Sequence, residues 1–330
     1  MSQKKIAFIG FWRSFNPHSF FLTKLLKENY DVIITEAEDA HYVFFSVVSE
    51  DHWEVKDDCI KIFYTGEMIS PDFNACDYAI GFDWMEYGDR YFRLPLYYSD
   101  ESICHLMEQK HLYTFNEIKE KKTDFCSITV SNARRDPFFK SLYCEMAKYK
   151  RVDSGGKWNN NIGGRVGDKF AFDLTHKFSI VCENCAFPGN TTEKLTEAFA
   201  ARCIPIYWGD PEIAKVFNPE AFVNVRDYAS IREVVDVVKR IDCDDRLYEN
   251  MLREPVFSDN NYLYDKQMTL FRFFLFNIFD CPLDQARRRN RVCAGDSYVR
   301  LKRIMRACTL PYLGFKAFEK RCGEIYRKFS

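Results

Sequence analysis

One segment, residues 183–194, constrains this chain more than any other part of its sequence. It reads Glu-Asn-Cys-Ala-Phe-Pro-Gly-Asn-Thr-Thr-Glu-Lys and leads into an amphipathic helix and a strand at 204–209. A Pro-Gly turn that opens onto an Asn/Thr helix start directs backbone N–H groups toward one point, and the Glu and Lys put charges in the first helical turn. The segment therefore predicts a site for an anion the size of a diphosphate.

Apolar runs typical of buried parallel strands alternate with helical segments along the chain. This alternation predicts an α/β fold made of two Rossmann-like units. The predicted strands are 6–11, 32–35, 42–48, 61–64, 78–82, 125–130, 178–182 and 204–207, and the predicted helices are 20–29, 137–147, 191–202 and 231–241.

The most polar stretch between the two predicted units is 117–122, which we interpret as a linker, although a solvated helix end has the same composition. We therefore predict an N-terminal domain at 1–122, a second domain at 123–286 and a basic tail at 287–330.

Length and composition suit a two-domain globular protein, because 330 residues with 47% apolar content can fill two cores. The first residues lead straight into a strand without a signal peptide, so we expect the 13 cysteines to be free thiols in a reducing cytoplasm. No apolar run reaches the length of about eighteen residues that a membrane-spanning helix needs.

Charge is distributed unevenly. Residues 287–330 contain 13 Lys and Arg against 3 Asp and Glu, a net charge of +10, while the rest of the chain carries −11. Apolar residues recur at helical spacing among the basic ones from Tyr298 to Cys308, which favours a helix docked on an anionic membrane surface, at the inner face of the membrane. The alternatives are a helix folded back on the acidic body, or a nucleic-acid patch. The acidic body disfavours nucleic acid.

Segment 183–194, with the following helix and Pro205-x-x-x-Gly209, resembles the signature of the α1,3/4-fucosyltransferases, glycosyltransferase family 10. Other segments resemble bacterial members of this family in the same order along the chain, from about residue 60 to about residue 228. They are 63–67 (Phe-Tyr-Thr-Gly-Glu), 71–74, 77–83, 90–98, 152–156, 160–163, 217–219 and 222–225.

The resemblance implies the glycosyltransferase B (GT-B) architecture, with two Rossmann-like domains facing a cleft, the first binding the acceptor and the second the donor. It also implies an inverting transfer of L-fucose from GDP-fucose to the 3-hydroxyl of GlcNAc in N-acetyllactosamine-type glycans, giving a Lewis x type product. Two other functions remain open: a GT-B transferase that uses another nucleotide sugar, and an inactive sugar-binding protein.

Glu67 is the candidate general base. It follows the predicted strand 61–64 and Gly66, which frees the backbone to turn, so its carboxylate is expected at the C-terminal edge of the sheet. The resemblance implies the base role, because Glu67 is the acid of the family's Thr-Gly-Glu. The alternative is a carboxylate that caps the next segment.

Two cations are candidates for binding the donor diphosphate. Lys194 lies in the first helical turn, where its charge adds to the helix dipole. Arg135 precedes the helix that begins near Pro137, and a guanidinium suits bidentate contact with phosphate. The resemblance implies a donor-contacting arginine at this position, three residues before the aromatic pair Phe138-Phe139.

Three polar residues of segment 183–194 complete the predicted donor site. Glu193 resembles the family residue that contacts the donor ribose, or it forms a capping box with Asn190. Asn184 matches an asparagine near the donor. Asn190 stands where the family has Tyr, and Cys185 where it has Ser, so a potential aromatic contact with the donor is lost at Asn190.

Two short motifs resemble metal sites. Cys182 and Cys185 have C-x-x-C spacing but no second pair at ligand distance. Asp242-Cys243-Asp244 reads as D-x-D, yet it lies between two helical segments, so we interpret it as a helix-terminal turn. The resemblance implies that neither a divalent metal nor another cofactor is required.

Acceptor recognition is the least specified function in the sequence. Several residues of the N-terminal half could stack on or contact a sugar, and they could equally be core residues. They are Trp12, Arg13, Phe15, Trp84, Tyr87 and Tyr91.

Overall fold

The computed structural model describes residues 2–109, 113–131, 138–289 and 294–309. These residues form two compact units. The first unit takes in the described residues up to Gly81, Glu86–Phe92 and those from Arg272 onward, and the second consists of Phe82–Met85 and Arg93–Phe271. Each unit is built around one sheet, as the alternation of strands and helices predicts.

The sheet of the first unit has six strands in the order β2-β1-β3-β4-β5-β6. Strands β1 to β5 pair in parallel, and β3, β4 and β5 are buried along their whole length, which explains their continuous apolar sequences. The strands are β1 (Gln3–Ile9), β2 (Asp31–Ile34), β3 (Tyr42–Phe45), β4 (Ile60–Tyr64), β5 (Tyr78–Gly81) and β6 (Tyr91–Arg93).

The second unit holds a five-stranded parallel sheet in the order β11-β10-β9-β7-β8. Its strands are β7 (Asp124–Ile128), β8 (Val152–Ser154), β9 (His176–Cys182), β10 (Ile204–Trp208) and β11 (Val223–Asn224).

Helices cover both sheets. In the second unit the valines and isoleucine on one face of α7 pack on the strands of its sheet. The helices are α1 (Phe21–Lys27), α2 (Glu101–Glu108), α3 (Phe115–Lys121), α4 (Phe138–Ala147), α5 (Lys169–Asp173), α6 (Glu193–Ala200), α7 (Ile231–Cys243), α8 (Asp245–Arg253), α9 (Tyr264–Asp280), α10 (Leu283–Ala286) and α11 (residues 294–309). Each predicted strand and helix is present, with shifted ends.

The compact units depart from the predicted boundary at residue 122. Helices α2 and α3 belong to the second unit, because α2 packs on α6 and Ile118 of α3 enters the second core. The predicted linker 117–122 is therefore the end of a capped helix, which is the alternative its composition allowed.

The second predicted boundary, at residue 286, divides the first unit. The end of α9 packs on the first sheet, where Phe279 stacks on Tyr42 with ring centroids 4.0 Å apart. Beyond α10, the backbone N–H groups of Arg288 and Arg289 donate to Asp77 Oδ1 over 2.7 and 2.8 Å. The guanidinium of Arg289 also pairs with the Asp77 carboxylate, and both side chains are buried. Residues 272–286 thus belong to the first unit rather than to the second, and residues 287–289 belong to the first unit rather than to a separate tail.

Helix α11 packs on an acidic part of the first unit. Arg303 Nη2 lies 3.1 Å from Asp57 Oδ1, and Arg306 Nη1 lies 3.3 Å from Glu54 Oε1. This part of the predicted tail folds back on the body of the protein, while residues 310–330 lie outside the described residues. The apolar side chains of α11 that remain exposed are Leu301, Ile304 and Met305.

Within the described ranges, no helix combines the length and apolarity that crossing a membrane requires. The cysteines in the same ranges form no disulfide with one another.

Candidate active site

Glu183 is the buried centre of segment 183–194. It follows β9, and its backbone N–H donates to the Trp208 carbonyl of β10 over 2.9 Å. Its side chain is fully buried, with 0% exposure. Oε1 accepts the Thr192 backbone N–H at 2.8 Å, and Oε2 lies 3.0 Å from Lys194 Nζ. One carboxylate therefore fixes both the start of α6 and the cation of its first turn. Glu183 is part of the motif, but no sequence pattern indicates its role.

Lys194 carries a charge that an anion can reach. Burial pulls the pKa of Lys194 down, but the carboxylates of Glu183 and Glu193 outweigh burial, so the pKa lies above its ordinary value. The side chain is 25% exposed, and Nζ also lies 3.1 Å from Thr192 Oγ1. Lys194 is accordingly protonated at neutral pH and positioned beside the N-terminus of α6, as predicted.

The predicted capping box of Asn190 and Glu193 does not form. Helix α6 begins at Glu193 rather than Thr191, and its N-cap is Thr192, which makes no side-chain capping bond. The Asn190 N–H, which the box would direct to Glu193, donates to the Phe187 carbonyl over 3.1 Å instead, and Glu183 accepts the N–H of the actual N-cap, Thr192. Glu193 is left with Oε2 buried and with no hydrogen-bond partner among the described residues.

The Pro-Gly turn before α6 requires glycine. Gly189 has φ +82°, and a Cβ there would lie 2.7 Å from the Phe82 carbonyl. Arg93 joins these two backbone segments, donating from Nε to the Phe82 carbonyl over 2.9 Å and from Nη2 to the Gly189 carbonyl over 3.2 Å. These two hydrogen bonds from Arg93 stabilise the turn. Arg93 lies in the 90–98 match, but no sequence pattern indicates which carbonyls it contacts.

Two exposed aromatic side chains flank this turn. Trp84 is 38% exposed, and the Arg93 guanidinium lies 3.8 Å from its ring centroid. Phe187 is 42% exposed and packs edge-on against Phe82. Exposed aromatic faces of this kind can stack on a base or a sugar.

Asp210, directly after Gly209, ties the same turn to the end of β10. It is 2% exposed; Oδ2 accepts from the Thr191 hydroxyl over 3.3 Å, and its backbone N–H donates to the Tyr207 hydroxyl over 2.9 Å. Burial raises the pKa of Asp210 above its ordinary value. The motif pattern Pro-x-x-x-Gly ends one residue too early to single it out.

The two asparagines of the predicted donor site differ in exposure. Asn184 is exposed in the bend after Glu183. Asn190 is 5% exposed, and its backbone N–H closes the turn to the Phe187 carbonyl over 3.1 Å. The residue that replaces the family tyrosine is therefore packed inside the loop.

Glu67 lies in the first unit, after the end of β4, with an exposed side chain. Its backbone N–H donates to Thr65 Oγ1 over 2.9 Å, so the threonine hydroxyl shapes the turn, and Gly66 does not adopt a positive φ. Within the described residues its carboxylate makes no hydrogen bond or ion pair. This disfavours the alternative role of a capping carboxylate.

Arg135 lies outside the described residues, in the gap 132–137. The helix that follows it, α4, begins at Phe138, whose ring stacks on Trp208 at the end of β10 with centroids 5.3 Å apart.

The D-x-D motif is a helix-terminal turn, as interpreted from the sequence. Asp242 Oδ1 pairs with Lys177 at 2.7 Å, and Asp244 caps α8 by accepting the backbone N–H groups of Arg246 and Leu247. Of the C-x-x-C pair, Cys182 ends β9 and Cys185 lies in the following bend. In the part of the chain that the structure describes, no group of three or more His, Cys, Asp or Glu is arranged to hold a metal ion.

Two family models match the sequence of this chain, and the matched ranges contain the residues just described. The N-terminal domain of α-(1,3)-fucosyltransferase FucT matches residues 6–99, and the C-terminal part of glycosyltransferase family 10 (fucosyltransferase) matches residues 119–253. The chain belongs to glycosyltransferase family 10. The second match contains Glu183, Lys194 and Asp210, and the first contains Glu67 and Arg93.

The curated relatives that match this chain are longer than the matched region. The α-(1,3)-fucosyltransferase FucT of Helicobacter pylori is 32% identical over 253 residues, which covers 66% of this chain and 53% of the relative. The human GDP-fucose protein O-fucosyltransferase 3 is 27% identical over 116 residues, covering 32% of this chain and 24% of the relative. The chain thus spans about half the length of the first relative and less of the second.

Solved structures extend the likeness to the fold. A crystal structure of an α1,3-fucosyltransferase matches with a TM-score of 0.71 and 28% identity, covering 84% of this chain and 91% of the other. A structure of an α1,3-fucosyltransferase with GDP-fucose matches with a TM-score of 0.68 and 28% identity, covering 83% and 91%. These matches confirm the predicted α/β GT-B fold class.

Proposed function

We propose that this protein is an inverting α1,3-fucosyltransferase that uses GDP-fucose as its donor. The observation that carries the proposal is the protonated Lys194 in the first turn of α6, held by the buried carboxylate of Glu183. The printed names of the relatives support it, since one solved relative is an α1,3-fucosyltransferase with GDP-fucose.

The donor diphosphate binds at the start of α6 in this proposal. Lys194 supplies one positive charge, and the N-terminal N–H groups of the helix add the positive end of its dipole. Arg135 is the second cation, with a fork that suits phosphate oxygens. The buried Oε2 of Glu193 accepts a hydrogen bond from a ribose hydroxyl, and Asn184 and Asn190 complete the site.

The reaction then needs a base and a stabilised leaving group. The Glu67 carboxylate removes the proton from the acceptor hydroxyl as its oxygen attacks C1 of fucose, while the bond from C1 to the phosphate oxygen breaks on the opposite face. The charge that develops on departing GDP is stabilised by Lys194 and Arg135. No divalent metal or other cofactor takes part in this scheme.

The proposed acceptor is the GlcNAc 3-hydroxyl of an N-acetyllactosamine-type glycan, giving a Lewis x type product. Exposure narrows the aromatic candidates for sugar stacking in the first unit. Trp12 and Tyr87 are each 47% exposed, whereas Tyr91 is 7% exposed and Phe15 packs on Phe11 at 4.2 Å. Trp12 is therefore the better candidate, because the Tyr87 ring stacks on Phe73 with centroids 4.3 Å apart.

Incubation with GDP-fucose and N-acetyllactosamine, with mass detection of one added deoxyhexose, tests the proposal. Glu67→Gln should retain GDP binding and lose nearly all transfer. Glu36→Gln is the matched control, because Glu36 is also an exposed glutamate of the first unit. Near-normal turnover by Glu67→Gln would refute the assignment of the base.

Thermal shift with different donors, together with the transfer assay and acceptor binding, separates the two other functions. A transferase for another nucleotide sugar would be stabilised against heat by that donor and not by GDP-fucose, since a ligand raises stability by mass action. An inactive sugar-binding protein would bind the acceptor and give neither hydrolysis nor transfer.

The basic C-terminal region is proposed to hold the protein at an anionic membrane surface on the cytoplasmic side. Leu301, Ile304 and Met305 of α11 are 54%, 51% and 53% exposed, which supports an apolar contact with lipid. Removing all residues from Arg287 onward is a poor test, because Arg289 pairs with Asp77 inside the first unit.

Serine substitutions at Leu301, Ile304 and Met305 test the membrane contact with the fold intact. Cosedimentation with phosphatidylserine vesicles should fall, while serine at Leu270 and Phe273, which are 52% and 64% exposed on α9, should leave it unchanged. Equal sedimentation of all variants would remove the membrane proposal.

A further inference from the structure

Helix α6 ends in a backbone geometry that favours glycine, yet the residue there is arginine. Arg202 has φ +62°, its N–H donates to the Phe199 carbonyl over 3.0 Å, and the Cys203 N–H donates to the Ala198 carbonyl over 3.0 Å. This pair of bonds is a Schellman motif, in which the left-handed position is usually glycine. A side chain at this position is kept at an energetic cost, which points to a role for the guanidinium.

The guanidinium of Arg202 is buried and incompletely bonded. The residue is 6% exposed, and Nη2 donates to the Gln109 carbonyl over 3.2 Å. Nε and Nη1 are buried with no hydrogen-bond partner in the ranges that the structure describes. The only ring beneath it is that of Tyr113, 5.0 Å away, among the described residues. Burial lowers the pKa of Arg202, and no described carboxylate forms an ion pair with it.

The Arg202 guanidinium lacks a counter-ion, and two of its nitrogens lack a hydrogen-bond acceptor, among the described residues. A buried cation is costly unless an anion neutralises it and hydrogen bonds satisfy its donors. Two free nitrogens beside an uncompensated charge therefore suit an incoming anion.

Arg202 also lines a cavity. It has an empty volume of about 460 Å³, counting its open side, and it is formed by residues of α2, α3, α5 and the end of α6. Lys121 and Lys122 add positive charges to its lining, and Tyr113 lines it as well. The lining also holds one carboxylate, that of Glu117, which is engaged in the capping box of α3 with Thr114. The apolar walls come from Leu106, Ile118, Phe170, Leu174 and Ala200.

We infer that this cavity, the Arg202 pocket, binds a small organic anion with an apolar body. The carboxylate of the ligand receives hydrogen bonds from Arg202 Nε and Nη1, and its hydrocarbon or aromatic part packs on Phe170 and Leu174. The pocket is separate from the proposed donor site, because α6 carries Lys194 in its first turn and Arg202 beyond its last residue.

Titration calorimetry of the full chain with sodium benzoate tests this inference. Benzamide, which has the same shape without the charge, and inorganic phosphate, which has charge without the apolar body, are the comparison probes. We expect one benzoate per chain, with benzamide and phosphate each binding at least tenfold more weakly.

Arg202→Gly is the informative variant, because glycine suits the Schellman position and removes only the side chain. It should weaken benzoate binding at least tenfold while keeping the thermal unfolding temperature at or above that of the parent. Asn159→Gly is the matched control, since Asn159 also has a positive φ, at 47°, but is exposed and does not line the pocket. Benzoate binding that is unchanged by Arg202→Gly, matched by benzamide or phosphate, or absent from the parent overturns the inference.

Discussion

Lys194 Nζ lies 3.0 Å from Glu183 Oε2, so the last residue before the bend after β9 holds the cation of the first turn of α6. Because the Glu183 side chain is fully buried and also accepts the Thr192 N–H, it acts as an anchor for the lysine rather than as a group that meets a ligand. The lysine is a quarter exposed and remains accessible to an anion.

Glu183→Gln should destabilise the protein by about 2–3 kcal/mol, because it leaves the partly buried Lys194 without its counter-charge. Urea denaturation measures the change, and the KM for GDP-fucose should rise with it. Glu212→Gln is the control, since the exposed pair of Glu212 and Lys215, 2.8 Å apart, should be worth less than about 1 kcal/mol. Equal effects of the two substitutions would contradict the anchoring role.

Gly189→Ala should cost about 2–4 kcal/mol, since it adds a clash with the Phe82 carbonyl to the strain of a positive φ. Gly163→Ala shares the strain at φ +84° but meets no atom within 4 Å, so its cost should be about 1–2 kcal/mol. Thermal unfolding compares the two variants. A loss in donor affinity is expected for Gly189→Ala alone, and a similar loss in both would argue against a role for this turn in donor binding.

His52 should make stability depend on pH in acid. Burial, followed by the charges of Lys61 and Arg306, lowers the pKa of His52 from 6.5 to about 4. Between these values the unfolded chain binds the proton and the folded chain does not, so stability is lost as pH falls from 6.5 toward 4. The full shift corresponds to about 3 kcal/mol, of which about 2 kcal/mol is lost by pH 5.

His52→Phe isolates this effect, because the ring of His52 stacks on Phe45 with centroids 4.3 Å apart and phenylalanine can keep that contact. Urea unfolding at pH 5 and pH 7.5 should show a smaller difference for the variant than for the parent. An unchanged difference would assign the acid sensitivity to other groups.

Chelation should leave transfer intact. Asp242 and Asp244 are engaged by Lys177 and by the N-terminus of α8, which leaves the D-x-D motif committed to structure. Activity in EDTA should equal that in buffer alone. Complete loss in EDTA that a divalent ion restores would overturn the metal-independent scheme.

The strands and the donor segment could be predicted from the sequence because their signals are local. Buried parallel strands such as β4 and β10 are continuous apolar runs, and a Pro-Gly turn before a helix marks an anion site within a few residues. The position of Lys194 in the first turn of α6 is predicted in this way.

The start of α6 and the supports of the turn depend on distant residues. Glu183, eleven positions before Lys194, takes the place of a capping box at the start of α6. Arg93 donates to the Gly189 carbonyl, which is 96 positions away along the chain. Backbone carbonyls leave no mark on side-chain patterns, so neither contact could be read from the sequence. Arg202 could not be identified from the sequence either, because its burial arises from α2, α3 and α5 together.

The domain boundaries were the least predictable feature. Composition marks a charged stretch at 117–122, but it does not show that the chain re-enters the first unit after residue 271. The pair of Asp77 and Arg289, which lies in that unit, spans 212 positions. A local charge pattern describes 287–330 as a single tail, whereas the structure buries Arg289 in the first unit.

The Asp77–Arg289 pair also sets an order for assembly during translation. The first sheet is encoded early, but Asp77 obtains its buried counter-charge only after residue 289 has left the ribosome. Residues 93–271 are synthesised before that point and can complete their own sheet. The second unit should therefore fold on the nascent chain before the first unit is complete.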